Sequence, residues 1–284
     1  MNIRKPFILI VFGIIIYSCS EPSIPYSFFV AGHVYGAPNT PLMGAHPPFK
    51  EKFGLIKSTP NMQFGVLTGD MVVGSTKERW DKLEADLDEL NLTIRHAVGN
   101  HEVDKYREYY EDRFGITYNS FILNQDLFIF LDPLLGEGWN IEGEQLDFFK
   151  KELDQVQGIE NVFIFFHQLL WWQPEGKLLK SNPNSISGRK GKCNFWDEIV
   201  PMLEETKIPI FLFAGDLGAY KNGRSCFYHQ HKNITMMASG MGGGKKDNFL
   251  IVKVDKWKNV EVEMISLNGE GIHALGEIKD CTLN

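Results

Sequence analysis

Five short apolar runs in this chain end alike, and that repetition constrains the fold more than any other feature. Phe28-Phe29-Val30-Ala31 runs into Gly32-His33, Val66-Leu67-Thr68 into Gly69-Asp70, and Ala97-Val98 into Gly99-Asn100-His101-Glu102. Ile164-Phe165-Phe166 runs into His167, and Phe211-Leu212-Phe213-Ala214 into Gly215-Asp216. Apolar runs of this length, rich in aromatic and β-branched residues, read as strands buried on both faces. In open α/β sheets ligands bind outside the carboxyl ends of the strands, and a glycine before the polar residue permits a sharp turn and close backbone approach. The five runs therefore deliver Asp, Asn and His to one rim, where a shared site is the economical reading.

The remaining pattern agrees with a layered α/β domain. Strands are expected at 27–31, 64–68, 93–98, 120–123, 127–131, 161–166, 208–214, 234–239, 249–254 and 260–265. Residues 76–90 place Trp80, Leu83, Leu87 and Leu90 at helical spacing, and 144–156 and 195–205 read as helices too. With 284 residues, 43% of them hydrophobic, the chain is long enough to bury a core without disulfide staples. No internal repeat is visible.

The first eighteen residues have a different character. Arg4 and Lys5 form a positive start, and 6–17 is an almost unbroken apolar run too short to cross a bilayer as a mature helix. It reads as a signal peptide. Its end, Ile16-Tyr17-Ser18-Cys19, resembles the bacterial lipobox, in which the cysteine is lipidated and becomes the mature N-terminus. The expectation is a leader at 1–18, one domain at 19–284, and attachment to a membrane of the cell envelope through a lipid on Cys19 alone. Removal of Arg4 and Lys5 takes the formal charge from −7 to −9, which argues against a nucleic-acid partner. A polar loop at 180–194 carries Arg189, Lys190 and Lys192, which with Lys221 and Arg224 either meet an anion or stay solvated, and solvation is the better reading. Cys193, Cys226 and Cys281 remain after Cys19, so one bridged pair and one thiol are expected in an oxidising compartment. Sequence does not choose the pair.

The rim offers carboxylate, carboxamide and imidazole without thiolate, a ligand set suited to Mn, Fe or Zn. Two cations bridged by Asp70 can hold a hydroxide and a phosphoryl oxygen for in-line attack, with His101 placed to protonate the leaving group. The order Gly69-Asp70, Gly99-Asn100-His101-Glu102 and a lone His167 after a strand resembles the calcineurin-like metallophosphoesterase family across nearly the whole mature chain. That family has the blocks D-x-H, G-D, G-N-H-D/E, H and G-H-x-H. The resemblance implies an α/β sandwich of two mixed β-sheets flanked by α-helices. It also implies that Asp70 bridges two metals, that Asn100 and His167 ligate the second, and that His101 contacts the substrate phosphate or acts as the acid. Gly240-Met241-Gly242-Gly243-Gly244 resembles the glycine-rich turn many members carry behind the last block.

Two blocks depart from the pattern. Ala31 stands where the first block has its aspartate, and Asp216 and Gly218 stand where the last block has its two histidines. The second metal keeps Asp70, Asn100 and His167, with the Asp216 carboxylate in place of an imidazole. The first keeps only His33 and Asp70. The implied protein holds one or two divalent cations and hydrolyses a phosphomonoester or phosphodiester through metal-activated hydroxide, with His33 and His101 touching the substrate or a second cation. Its partner would be a small phosphate ester or a phosphorylated envelope component. The alternative is a non-catalytic member of the fold that binds a phosphate- or glycan-containing envelope ligand. His46, His229 and His231 are spare imidazoles with no assigned role. Trp171, Trp172, Tyr109 and Tyr110 either wall a substrate pocket or cap the sheets.

Overall fold

The inner apolar runs are buried on both faces. In β1 (Tyr26–Ala31), Phe28 and Val30 pack between two sheets while Phe29 and Ala31 pack under helices. A strand buried on both faces needs a layer on each side, and the computed structural model supplies it. It describes residues 23–38, 40, 43–188, 193–220 and 223–283.

The further strands are β2 (Met62–Thr68), β3 (Thr93–Ala97), β4 (Asn119–Leu123), β5 (Asp126–Phe130), β6 (Asn161–Phe165), β7 (Ile210–Ala214), β8 (Cys226–His231), β9 (Ile234–Ser239), β10 (Asn248–Val254) and β11 (Val260–Ser266). The first sheet has the order β11-β10-β1-β2-β3, and the second β4-β5-β6-β7-β9-β8. Both are mixed: β1, β2 and β3 run parallel, as do β5, β6, β7 and β9, while β10, β11, β4 and β8 pair antiparallel. The helices are α1 (Pro47–Lys50), α2 (Phe53–Ser58), α3 (Lys77–Leu87), α4 (Asn100–Val103), α5 (Arg107–Phe114), α6 (Gly143–Asp154) and α7 (Val200–Thr206). This is the expected sandwich of two mixed sheets flanked by helices.

Phenylalanine dominates the layer between the sheets. The Phe28 ring lies 5.0 Å from Phe64, 5.3 Å from Phe163 and 5.6 Å from Phe128, in stacked and edge-on contacts worth about 0.5–1.5 kcal/mol each beyond their area. Outside the first sheet, Phe29, Phe49, Trp80 and Leu83 form a second core, and outside the other, Phe149, Ile164 and Leu203 a third.

Some expectations shift. Residues 195–205 form a π-helical turn (Phe195–Ile199) followed by α7, because Pro201 lacks the N–H that a continuous helix would bond to the Asp197 carbonyl. The 76–90 helix ends at Leu87 and tightens into a single 3-10 turn, Asp88–Leu90, closed by Asn91 in the left-handed region. The disulfide joins Cys226 to Cys281, and Cys193 instead donates its Sγ–H to the Trp139 carbonyl. Trp171, Trp172 and Tyr110 are buried in the outer cores, so they cap the sheets and do not wall a pocket. The leader, Cys19, Arg189, Lys190, Lys192 and Lys221 lie outside the described residues. Among the described residues no helix is long and apolar enough to cross a membrane.

Candidate functional site

All five strand ends meet at one rim. His33 follows β1, Asp70 follows β2, Asn100 opens α4 after β3, His167 follows β6 and Asp216 follows β7. The turns are tight enough to require glycine. Gly69 has φ +82°, and a Cβ there would lie 2.4 Å from His167 Nδ1; one on Gly215 would lie 1.9 Å from the Thr68 carbonyl oxygen. His33 and Asp70 themselves adopt φ of 58° and 50°, left-handed conformations that side chains seldom take.

Asp70 is the hub. Its Oδ1 lies 3.3 Å from His167 Nε2, and its Oδ2 lies 3.5 Å from His33 Nε2 and 3.9 Å from His101 Nε2. Asp216 Oδ1 lies 3.6 Å from His167 Nε2. His167 Nδ1–H donates to the Thr68 carbonyl at 2.7 Å, which turns Nε2 inward. The other Asp216 oxygen accepts the Ser185 hydroxyl at 2.5 Å. Behind Asp70, the buried Glu102 carboxylate accepts the N–H groups of Asp70, Met71 and Gly99 at 2.8 Å and of Val72 at 3.1 Å.

The field is sharply graded. Burial pushes His33 down to about 4, against the pull of Asp70, so its imidazole is neutral at pH 7. Burial opposes charge on His167 as well, but Asp70 and Asp216 outweigh it and raise the ring to about 10. Asp70 is held well below the usual carboxylate range: burial works against this, and the His167, His33 and His101 rings overcome it. Burial, with the Asp70 charge, lifts Asp216 to about 6.

A divalent cation suits part of this set. Asn100 Oδ1, His167 Nε2 and Asp216 Oδ1 are buried acceptor-capable atoms with no hydrogen-bond partner, which is costly unless something electropositive lies among them. The His167 Nε2 spacings to Asp70 and Asp216, 3.3 and 3.6 Å, resemble those of neighbouring ligands on one ion, about 3.0–3.5 Å for bonds near 2.1 Å. The field that draws a proton onto His167 draws a cation to the same place. Among the described residues no three His, Cys, Asp or Glu side chains are already closed into a metal cage, so the set depends on the Asn100 carboxamide and on some closure.

The first-metal position does not fit a cation. Ala31 carries no donor, and Gly218 has φ +83° with its Cβ direction blocked 2.7 Å away by the Gly240 carbonyl carbon. An imidazole at 218 has no room there. His46 lies beside Asp247 and His231 beside Glu204, so neither completes the position.

A cleft of about 430 Å³ opens over the rim, with Tyr35, Leu134, Trp139 and Tyr220 on its apolar side. A larger groove of about 880 Å³ lies between the β8–β9 edge of one sheet and β11 of the other, away from these strand ends. Sequence reasoning placed the rim residues but missed what supports them. Glu102 had a signal, an acid at the third helical position after a glycine N-cap. Tyr35, whose hydroxyl lies 3.5 Å from His101 Nε2, had none, nor did Asn184 and Ser185, which tertiary packing brings over the rim from a loop expected to be solvated.

No protein-family model matches the chain, and no curated protein matches it by sequence. Solved structures do resemble it. A purple acid phosphatase from yellow lupin (Lupinus luteus) seeds superposes with a TM-score of 0.62 at 12% identity, over 88% of this chain and 53% of that one. The chain thus spans about half the length of the lupin enzyme, and the likeness shows a shared fold. A predicted phosphoesterase from Streptococcus pneumoniae aligns over 87% of this chain and 93% of its own at 11% identity, with a TM-score of 0.39, too loose to carry an argument.

Proposed function

We propose that this chain is a metal-dependent phosphoesterase of the cell envelope, lipidated at Cys19, whose one cation is held by Asp70, Asn100, His167 and Asp216. The observation that carries the reading is the convergence of five strand ends on Asp70, with three buried acceptor-capable atoms around it that lack partners. The shared fold with a purple acid phosphatase supports it. A divalent cation in that set supplies Lewis acidity toward a phosphoryl oxygen and a lowered pKa for water.

The chain's own groups do the rest. Neutral His33 can donate a ring N–H to a phosphoryl oxygen. His101 sits at the cleft, with its side chain one-third exposed and steadied by Tyr35, within reach of a leaving oxygen to which it can pass a proton. Glu102 fixes the Asp70 turn, and Ser185 fixes one oxygen of Asp216 so that the other points to His167.

The test pairs elemental analysis of the purified protein with hydrolysis of aryl phosphomonoesters and phosphodiesters under added Mn, Fe, Zn and Mg. The expected result is about one metal per chain and turnover that Asp70→Ala lowers by about a thousandfold, the equivalent of several kcal/mol of charge stabilisation. Absence of both metal and turnover under every cation would overturn the phosphoesterase reading in favour of a phosphate- or glycan-binding protein, which Ala31 and the closed Gly218 position support.

A further inference from the structure

The cleft is lined by two side-chain amides that the fold leaves wholly or partly unused. Gln168 is 0% exposed and lines the cleft, yet neither Oε1 nor Nε2 has a hydrogen-bond partner. Asn184 is half used: its Oδ1 accepts the Ala219 N–H at 3.3 Å, while its buried Nδ2 has no partner, and the residue lines the same cleft. These amides adjoin the proposed cation ligands. The His167 carbonyl accepts the N–H groups of Gly215 and Asp216 at 3.0 Å, which sets Gln168 next to Asp216, and Asn184 N–H donates to the Asp216 carbonyl at 2.9 Å.

Buried amides left without partners in a folded core are rare, because each forfeits its hydrogen bonds to water. A ligand that meets both ends of Gln168 must offer a donor and an acceptor side by side. An ionised phosphoryl group offers acceptors only, so it would satisfy Nε2 and repel Oε1. Neighbouring hydroxyls match both atoms and leave an acceptor for Asn184 Nδ2. The cleft lining also includes Leu134, Trp139 and Tyr220, whose apolar surface can take the C–H face of a ring.

We propose that Gln168 and Asn184 form a subsite for the hydroxyl-bearing alcohol portion of the ester, a sugar or polyol, beside the phosphoryl position at Asp70. This deepens the phosphoesterase reading and rests on it for the phosphoryl position.

Two non-hydrolysable probes separate the two ideas: methylphosphonate, which carries the phosphoryl group alone, and a C-linked hexosylmethylphosphonate, in which a CH₂ joins the sugar to phosphorus and leaves no P–O–C bond to cleave. Calorimetric titration of the full protein, with its metal, measures both affinities. The wild type should bind the hexosyl probe at least about tenfold more tightly than methylphosphonate, the equivalent of one well-made pair of polar contacts. Gln168→Leu should bring that ratio below about twofold, and Asn184→Ala should lower it in part. Gln168→Glu keeps acceptors and loses donors, so it should also lower the ratio, and it serves if the leucine variant fails to fold. Equal affinities in the wild type, an undiminished ratio in Gln168→Leu and Gln168→Glu, or no binding of either probe would overturn the subsite. Hexosyl binding that depends on Gln168, with no methylphosphonate binding and no turnover of any ester, would overturn the phosphoesterase reading and leave the subsite standing.

Discussion

Glu102 receives four backbone N–H groups, two on each oxygen, from the turns after β2 and β3. Burial and the charge of Asp70 push its pKa up, but every contact is a donor, so the ionised form is the one the turns are built for. Glu102→Gln would set an NH₂ against two backbone N–H groups. The expected cost is about 3 kcal/mol, read as a lower urea midpoint at unchanged m, with metal retention weakened about 10- to 100-fold. Gly218 carries a different lesson. Sequence shows a missing ligand there, whereas the structure shows a backbone crossing that admits only glycine, because Gly240 fills the space a Cβ needs. Gly218→His should therefore cost more than about 2 kcal/mol in thermal or urea unfolding and leave the metal content unchanged. A gain to two metals would refute that. Asp70, Asn100, His167 and Asp216 were legible because each directly follows a recognisable strand. Gln168 and Asn184 were not, because an unpaired amide is a property of the packed structure and leaves no mark on spacing.

At the scale of elements, ten of the eleven strands were readable from apolar or alternating runs, the inner ones buried on both faces and β3, β4 and β11 partly solvated at the sheet edges. The exception, β8, reads Cys-Phe-Tyr-His-Gln-His, whose polar second half gives neither an apolar run nor a clear alternation; it is an edge strand paired with β9 and half solvated. The shortest helices, α1 and α4, span four residues each and cannot show a helical stripe. Their placement depends on long-range contacts. Asp86 of α3 is one: its carboxylate accepts the Ala45 N–H at 3.0 Å and Lys50 Nζ of α1 at 2.6 Å, and pairs with Lys82. Burial alone would raise its pKa, but the bonds to Lys50 and Lys82 bring the net shift downward. A carboxylate with a depressed folded pKa stabilises the fold above its unfolded value and loses that contribution as pH falls through the folded one. The wild type should thus lose thermal stability below pH about 4. Asp86→Asn, already lacking the charge, should show a shallower decline in melting scans from pH 5 to pH 3. Parallel curves would show that Asp86 contributes nothing to acid sensitivity.

For the whole molecule, the two ends of the sandwich do different things. The Cys226–Cys281 bridge closes 55 residues and pins the C-terminal segment to β8, worth about 4 kcal/mol on a loop-entropy account, so unfolding with and without reductant should differ by roughly that amount. The described residues begin at the end opposite the cleft. Ser23 N–H donates to the Lys256 carbonyl in the turn between β10 and β11, and the six residues of β1, about 20 Å at 3.3 Å each, separate that entry from His33. From Cys19 to Ser23 the backbone reaches at most about 14 Å. A lipid on Cys19 would therefore hold the entry end near the bilayer and leave the cleft facing away from it, open to substrates in the aqueous phase. On that geometry a lipid on Cys19 would set location and take no part in the site. Cys19→Ser should move the protein from the membrane fraction to the soluble one, with turnover of a soluble aryl phosphate per molecule unchanged within about twofold. Retention in the membrane without Cys19 would remove the lipid anchor, and a large fall in turnover on release would mean that the bilayer helps to form the site.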